Sequence, residues 1–180
     1  MRRRESGRIA LCGMMGALSI VVMLMGSIIP VATFCAPLIS SMLMMTVAIE
    51  FGVKTALLLY VAVALIALLM LPDREMAFIF MFLLGYYPML KVYLEKLRPA
   101  PVRMLAKLAV FNAAVLSMYG MLLYLFPIQA LVDEFSEMGR PFVALLLVLG
   151  NVAFVIYDRA LVGIAHLYLV KFRPMLARYL

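Results

Sequence analysis

The stretch "LLMLPDREMAFIF" at residues 68–80 decides the fold, because three consecutive charged residues interrupt an otherwise apolar sequence. Asp73, Arg74 and Glu75, here called the charged triplet, follow Pro72 and separate two long apolar runs. A proline ends a helix because it lacks a backbone donor and clashes with the preceding turn. Each run is about as long as the 20 or so residues that cross the hydrocarbon core of a bilayer. The stretch therefore predicts a turn between two membrane-spanning helices.

The composition of the whole chain points to the same solvent. Apolar residues make up 68% of the 180 residues, charged residues only 14%, and the mean hydropathy is +1.14. A soluble domain of this size cannot bury so much apolar surface, because its exterior must face water. The net charge of +7 comes from residues at the ends of apolar segments. That placement indicates membrane topology and not nucleic-acid binding.

Working outward from the triplet, the apolar runs predict an all-α integral membrane protein, with six transmembrane helices in one compact bundle. The chain forms a single domain over residues 1–180. The first run is too long for the apolar core of a cleaved signal peptide, and Pro88 predicts a kink within the fourth span. An acidic loop with Asp133, Glu134 and Glu137 precedes the last span. The predicted spans cover residues 8–29, 37–51, 54–71, 75–96, 103–126 and 142–170.

The distribution of basic residues predicts the orientation of these spans. Of the 16 lysines and arginines, Arg74 and Arg140 fall on the side opposite the N-terminus and Arg159 falls within the last span, which leaves 13 on the N-terminal side. Cytoplasmic loops carry the excess of basic residues in membrane proteins. Both termini are therefore predicted to be cytoplasmic, and the charged triplet to face outward.

The sequence has no set of residues that indicates an enzyme. His166 is the one histidine, and the chain contains no zinc motif, no paired-cysteine motif and no glycine-rich phosphate loop. We therefore predict no enzymatic activity, no metal site and no cofactor in this chain. If the protein moves a solute, a partner or an ion gradient must supply the energy.

Polar residues within the predicted spans are the next candidates, because each is costly in lipid unless it is satisfied. Either they line a cavity that opens toward the triplet, or they tie helices together by hydrogen bonds. The residues in question are Tyr86, Tyr87, Asn112, Ser117, Tyr119 and Asn151. Asp158 and Arg159 in the last span leave a similar choice. Either they snorkel or anchor the helix to a neighbour, such as the one that bears Glu50 and Lys54, or they have a role in transport.

Small side chains form a patch near the start of the first span. Cys12, Gly13, Gly16 and Ala17 lie there, and Gly13 and Ala17 are spaced by four residues. Such spacing lets another helix approach closely. The approaching helix belongs either to the same chain or to a separate subunit.

The segment "RIALCGMMGALSIVVM" at residues 8–23 resembles the first helix of the substrate-binding S components of energy-coupling factor (ECF) transporters. The segment "APLISSMLMMTVAIEFGVKTALLLYVAVALIALLMLPD" at residues 36–73 is similar to their second and third helices, with a short glycine-containing turn between them. The resemblance covers the architecture of the whole chain, and its motifs are loose.

This resemblance implies a membrane-embedded subunit that captures a small molecule, such as a vitamin or its precursor, in the bacterial cytoplasmic membrane. A transmembrane coupling subunit and cytoplasmic ATPases would be its partners, so that ATP acts only through them. Gly13, Gly16 and Ala17 would contact the coupling subunit. The absence of tryptophan and the scarcity of deep polar residues depart from better-known members and disfavour a large polar vitamin. The implied substrate-binding residues are Thr33, Asp73, Arg74, Glu75, Asn112, Tyr119 and Asn151.

Two other functions fit the same sequence. One is a non-catalytic membrane scaffold of a cell-envelope complex, which the basic loop expected at residues 91–107 would suit. The other is a small homodimeric secondary transporter, which requires a carboxylate within the membrane. Asp158 is the candidate for that carboxylate, since Glu50 lies too close to a turn.

Overall fold

The computed structural model describes residues 2–29, 32–125 and 140–173, which form helices joined by short turns and bends and contain no strand. Six of its helical stretches are long and apolar enough to cross a membrane. This confirms an all-α architecture with six candidate spans, and thus a multi-pass membrane protein. The predicted acidic loop with Asp133, Glu134 and Glu137 lies outside the described residues.

The fourth span is the one that is not a single continuous helix. It consists of two α-helices joined through a π-helical segment and a short bend, and a second π-helical segment follows the last α-helix. In chain order the elements are α1 Arg2–Gly26, α2 Ala32–Phe51, α3 Val53–Met70, α4 Arg74–Ile79, the π-helical Phe80–Leu84, α5 Tyr87–Leu94, α6 Ala100–Leu125, α7 Arg140–Leu167 and the π-helical Tyr168–Phe172.

The second span begins earlier than the predicted residue 37, because α2 starts at Ala32 and contains Pro37. A proline early in a helix interrupts few backbone bonds, so that Pro37 does not mark the start. Gly26 at the end of α1 lies against the side chain of Ala36, where an added Cβ would come within 2.5 Å. The first two helices therefore cross closely at this point.

Gly52 makes the tight turn between α2 and α3. Its φ of 86° lies in the left-handed region that glycine adopts without steric cost. Beyond the turn, α1, α2 and α3 pack around a core that includes Met23, Met44 and Val63, and Met76 and Phe80 of the fourth span join this core. The first three helices thus form one half of the bundle.

The fourth span lies at the centre of the bundle, since more of it is buried than of any other candidate span. On its other side, Phe78 and Tyr87 pack against Phe154, Tyr157 and Leu161 of α7 to form a second core. The fourth span therefore lies between the α1–α3 half and the half that contains α6 and α7, although the halves also touch directly where the Ser41 hydroxyl of α2 lies 2.7 Å from the Tyr157 hydroxyl of α7. Any site built on it can be reached by side chains from both halves.

The ion pairs and the charged triplet lie toward two opposite ends of the bundle. At the end we call the basic end, residues 50–54, 91–107 and 158–173 come together, and Arg173 Nε lies 3.4 Å from Glu50 Oε1. At the end we call the triplet end, residues 27–33 and 71–75 meet, and Thr33 Oγ1 donates to Asp73 Oδ2 at 3.0 Å.

Candidate functional site at the broken fourth span

The break in the fourth span follows from Pro88, which lies in the first turn of α5. Since proline has no N–H, it gives no helical donor to the carbonyl of Leu84 four residues earlier. The hydroxyl of Tyr157 donates to that carbonyl instead, at 3.3 Å. Just before it, the Gly85 N–H bonds the carbonyl of Phe80 at 2.7 Å, which makes the turn π-helical. The predicted kink is thus confirmed as a break whose backbone is satisfied by a neighbouring helix.

Tyr60 of α3 holds the opposite side of the break. Its hydroxyl donates to the carbonyl of Met81. Its ring lies so close to Gly85 that an added Cβ would come within 2.7 Å of the ring and of the Phe80 oxygen. Glycine at this position therefore permits the approach of Tyr60, and tyrosines from α3 and α7 fix the break from two sides.

The adjacent Tyr86 and Tyr87 point to different parts of the molecule. The ring of Tyr86 lies 6.3 Å from the ring of Tyr60, toward α3. Tyr87 is buried, its ring lies 4.9 Å from that of Phe154, and its hydroxyl donates to Asp158 Oδ1 at 2.6 Å. The break thus has two polar sides, a groove beside Tyr86 and a charged cluster beyond Tyr87.

The charged cluster beyond Tyr87 joins three helices and is here called the lysine–aspartate cluster. Lys91 of α5 donates to the carboxylate of Asp158 in α7, and to its backbone carbonyl at 2.7 Å. Lys107 of α6 lies 2.8 Å from Asp158 Oδ2. Glu95 completes the cluster, with Oε1 3.3 Å from Lys91 Nζ and 3.4 Å from Lys107 Nζ.

The two lysines of the cluster are buried, so their charges must be balanced within the protein. The side chains of Lys91 and Lys107 are 5% and 6% exposed, whereas that of Glu95 is 46% exposed. Two ammonium groups face two carboxylates, so the cluster is neutral as a whole. Neutrality of this kind is what makes burial of the two lysines possible at this depth. The arrangement is suited to anchoring α5, α6 and α7 to one another.

The cluster corrects two predictions from the sequence. Asp158 does anchor its helix, but to α5 and α6 through Lys91 and Lys107. The suggested neighbour, the helix that bears Glu50, is joined to the end of the last helical stretch by Arg173 instead. The surface loop predicted over 91–107 was wrong at both ends, because α5 and α6 extend into it and bury its two terminal lysines. Arg159 and His166 are exposed and take no part in the cluster.

The groove beside Tyr86 opens between α3 and α6 and has the π-helical segment as its floor. Its volume is about 480 Å³. Tyr60, Met81, Phe82 and Tyr86 line one side, and Ser117 with small apolar side chains of α6 lines the other. Within the described part of the chain, neither the Tyr86 hydroxyl nor the Ser117 hydroxyl has a hydrogen-bonding partner. Of the polar residues predicted to lie deep in the spans, Tyr86 and Ser117 line this groove.

The structure brings five of the predicted substrate-binding residues to the triplet end. Asp73 accepts from Thr33 and also caps α4, where the Met76 N–H donates to it at 3.1 Å. Arg74 donates to the carbonyl of Leu68. Tyr119 and Glu75 lie in the same region, with Tyr119 Oη 3.5 Å from Glu75 Oε1. These side chains stabilise the turn between the third and fourth spans.

The other two predicted residues, Asn112 and Asn151, bind one another. Each amide donates to the side-chain oxygen of the other, at 2.8 and 3.1 Å, and also to the carbonyl four residues earlier in its own helix. No hydrogen bond joins this pair to the charged triplet among the described residues. The pair ties α6 to α7 and leaves no amide hydrogen for a ligand.

The small-residue patch of α1 lies partly inside the bundle and partly on its surface. Gly16 is buried against α3, since an added Cβ would lie 3.0 Å from a methyl carbon of Leu59. Gly13 and Ala17 are exposed, and a Cβ on Gly13 would meet nothing within 4 Å. One part of the patch therefore packs within the chain, and the other part remains on the surface.

Sequence reasoning missed Tyr60, Gly85, Tyr157 and both lysines of the cluster as parts of one site. One signal was present for Lys91, because Tyr87, Lys91 and Glu95 are spaced by four and so share a helix face. Lys107 carries no such signal, since it meets the others only after α6 has packed.

No group of three or more potential metal ligands occurs among the described residues. Comparisons with protein-family models, with curated proteins and with solved structures find no match to this chain.

Proposed function

We propose that the chain is the substrate-capture subunit of a multi-subunit, ATP-driven importer of a small molecule in the bacterial cytoplasmic membrane. The observation that carries the proposal is the broken fourth span, with a groove beside the break and two hydroxyls that have no partner among the described residues. Many secondary transporters bind their substrates near the bilayer midplane at discontinuous helices, and we extend this feature to a capture subunit. π-Helical segments are also frequent at functional sites. A chain that served only as a scaffold would need neither feature.

In this proposal the energy comes from other subunits. The sequence has no phosphate loop, so ATP would act through separate ATPases and a transmembrane coupling subunit. The exposed Gly13 and Ala17 on α1 support a contact with that coupling subunit, because small residues allow a second helix to approach. Substrate would enter at the triplet end, which the distribution of basic residues puts outside.

The lysine–aspartate cluster argues against a stand-alone secondary transporter. Such a carrier needs a carboxylate that alternately takes up and releases an ion. Asp158 is instead held by two lysines and by the Tyr87 hydroxyl. Releasing it would leave two buried ammonium groups with only the half-exposed Glu95 as counter-charge, which is costly. The cluster therefore favours a static anchor within a capture subunit.

The test is purification from the native membrane in a gentle detergent, with mass spectrometry of the proteins that accompany the chain. We expect a coupling subunit and paired ATPases. Gly13→Leu should release them without changing the unfolding midpoint, since the position is open. Gly120→Leu on α6 is the matched control, because a side chain there also meets nothing within 4 Å, and it should retain the partners. Recovery of cell-envelope proteins in place of ATPases would contradict the proposal and support the scaffold.

A further inference from the structure

The groove beside the broken fourth span is an open depression on the surface of the bundle, and its volume falls in the range of small-molecule sites. About 480 Å³ lies within the range of roughly 300 to 1,000 Å³ that ligand pockets occupy. Most of its lining is apolar, with a few polar atoms, as in sites that bind small organic molecules. Its floor is the π-helical segment, which Tyr60 and Gly85 hold in place. The groove is therefore part of the fixed structure of the bundle.

The aromatic side of the groove indicates an aromatic ligand. Tyr60, Phe82 and Tyr86 supply three rings, and Met81 adds a polarisable sulfur that packs well on ring edges. Across from them, Ala113 and Ala114 of α6 present methyl groups only. Stacked and edge-to-face contacts between rings add to the burial of apolar area.

The two hydroxyls in the groove indicate a hydrogen-bonding group on the ligand. Tyr86 and Ser117 belong to different helices and line the same groove. In lipid, a hydroxyl without a partner costs free energy. A serine within a helix commonly bonds the carbonyl four residues earlier, but no such bond forms at Ser117 in the part of the chain that the structure describes. A ligand with one donor or acceptor would satisfy either hydroxyl.

The absence of charged side chains among the lining residues indicates an uncharged ligand. The eight side chains that form the groove include no Asp, Glu, Lys, Arg or His. A charged ligand at membrane depth would need a counter-charge, and the lysine–aspartate cluster is already neutral. The other surface groove, of about 440 Å³, offers a comparison because its one polar residue is Asn151, whose amide is already bonded. The groove beside Tyr86 is thus the one of the two with polar groups available for binding.

We infer that this groove binds a small, uncharged aromatic molecule that carries one hydrogen-bonding group. The inference rests on the proposed capture function and names the substrate class of that site. It places the ligand between α3, α6 and the π-helical segment, and not among the side chains of the charged triplet.

Indole is the probe for the test, since it is flat, uncharged and has one N–H donor. The chain has no tryptophan, so the fluorescence of indole stands clear of the protein. The purified chain in lipid nanodiscs is titrated with indole, and empty nanodiscs of the same composition give the background. We expect saturable binding above that background. Tryptophan carries the same ring with two charges, and it should bind at least tenfold more weakly.

Substitutions of the residues that line the groove test where indole binds. Tyr86→Phe or Ser117→Ala should weaken indole binding about fivefold, the net value of one hydrogen bond, if indole bonds the hydroxyl that the substitution removes. We expect this effect of at least one of the two substitutions. Ala114→Leu should fill the groove and weaken binding more than tenfold. Ala109→Leu, at an exposed position on the same helix, and Tyr93→Phe, at an exposed tyrosine outside the groove, should leave binding unchanged.

Besides an absence of indole binding, two results would overturn the inference. One is an indole signal that Ala114→Leu does not change, which would mean that indole partitions into lipid or that an acyl chain occupies the groove. The other is equally tight binding of tryptophan. The proposed function is tested separately: if the ATPases accompany the chain but indole does not bind, the substrate class is wrong and the capture function stands. If indole binds but no ATPases accompany the chain, the site stands and the importer proposal fails.

Discussion

The lysine–aspartate cluster and the charged triplet use similar side chains in different ways. In the cluster, Lys91, Lys107 and Asp158 come from three helices and lie far apart in the sequence, yet they bind one another in a largely buried site. In the triplet, Asp73 caps its own helix and Arg74 bonds a carbonyl six residues earlier. Charges adjacent in sequence therefore shape a local turn, whereas charges distant in sequence hold the helices of the bundle together.

The largest effect that tests this comparison is expected for Asp158→Ala. The substitution leaves two buried lysines with only the half-exposed Glu95 as counter-charge, and breaking a buried ion pair costs about 3–5 kcal/mol. The free energy of unfolding in mixed detergent micelles should fall by that order. Arg159→Ala, at the exposed neighbouring position, should change it by less than about 0.5 kcal/mol.

A compensated variant separates loss of charge balance from loss of packing. Replacing Asp158 by Leu together with Lys91→Met and Lys107→Met removes all three buried charges at once. Since apolar replacements of a buried ion pair are often neutral, most of the lost stability should return. If this triple variant is as unstable as Asp158→Ala, the cluster does not act through charge balance.

Asp73→Ala is expected to have a smaller effect, because it acts on a turn. It removes the cap of α4 and the acceptor of Thr33, and loss of a helix cap costs about 1 kcal/mol. Thr33→Val deletes the hydroxyl alone and should cost less than Asp73→Ala in the same unfolding measurement. A loss as large as that of Asp158→Ala would remove the distinction between local and long-range charges.

The smallest effect is expected for the neutral pair, Asn112 and Asn151. A double-mutant cycle with Asn112→Ala and Asn151→Ala isolates their mutual contribution to the free energy of unfolding. Hydrogen bonds between membrane helices average about 0.6 kcal/mol in such cycles. We expect a coupling of about that size and with a stabilising sign. Zero coupling would contradict the observed pairing of α6 with α7.

The candidate site was only partly predictable, for a physical reason that particular residues illustrate. Pro88 predicts the break from the sequence alone, because proline lacks a backbone N–H in every context. Lys107 gave no sign that it would be buried, because basic residues at the edge of a span usually meet water. Asn112 and Asn151 could have faced a ligand as well as each other. Which partner a polar side chain finds depends on how its helix is rotated.

The sequence by itself determined the all-α class, the number of candidate spans and the places where the chain must turn or break. These follow from apolar length, from proline and glycine and from charge, which act locally. Only the tertiary structure decided which side chains meet. The spans are apolar around most of their circumference, as in the run from Ala56 to Met70, so periodicity does not mark an inward face. Rotation and packing of the helices brought Tyr60 to Gly85 and Lys107 to Asp158.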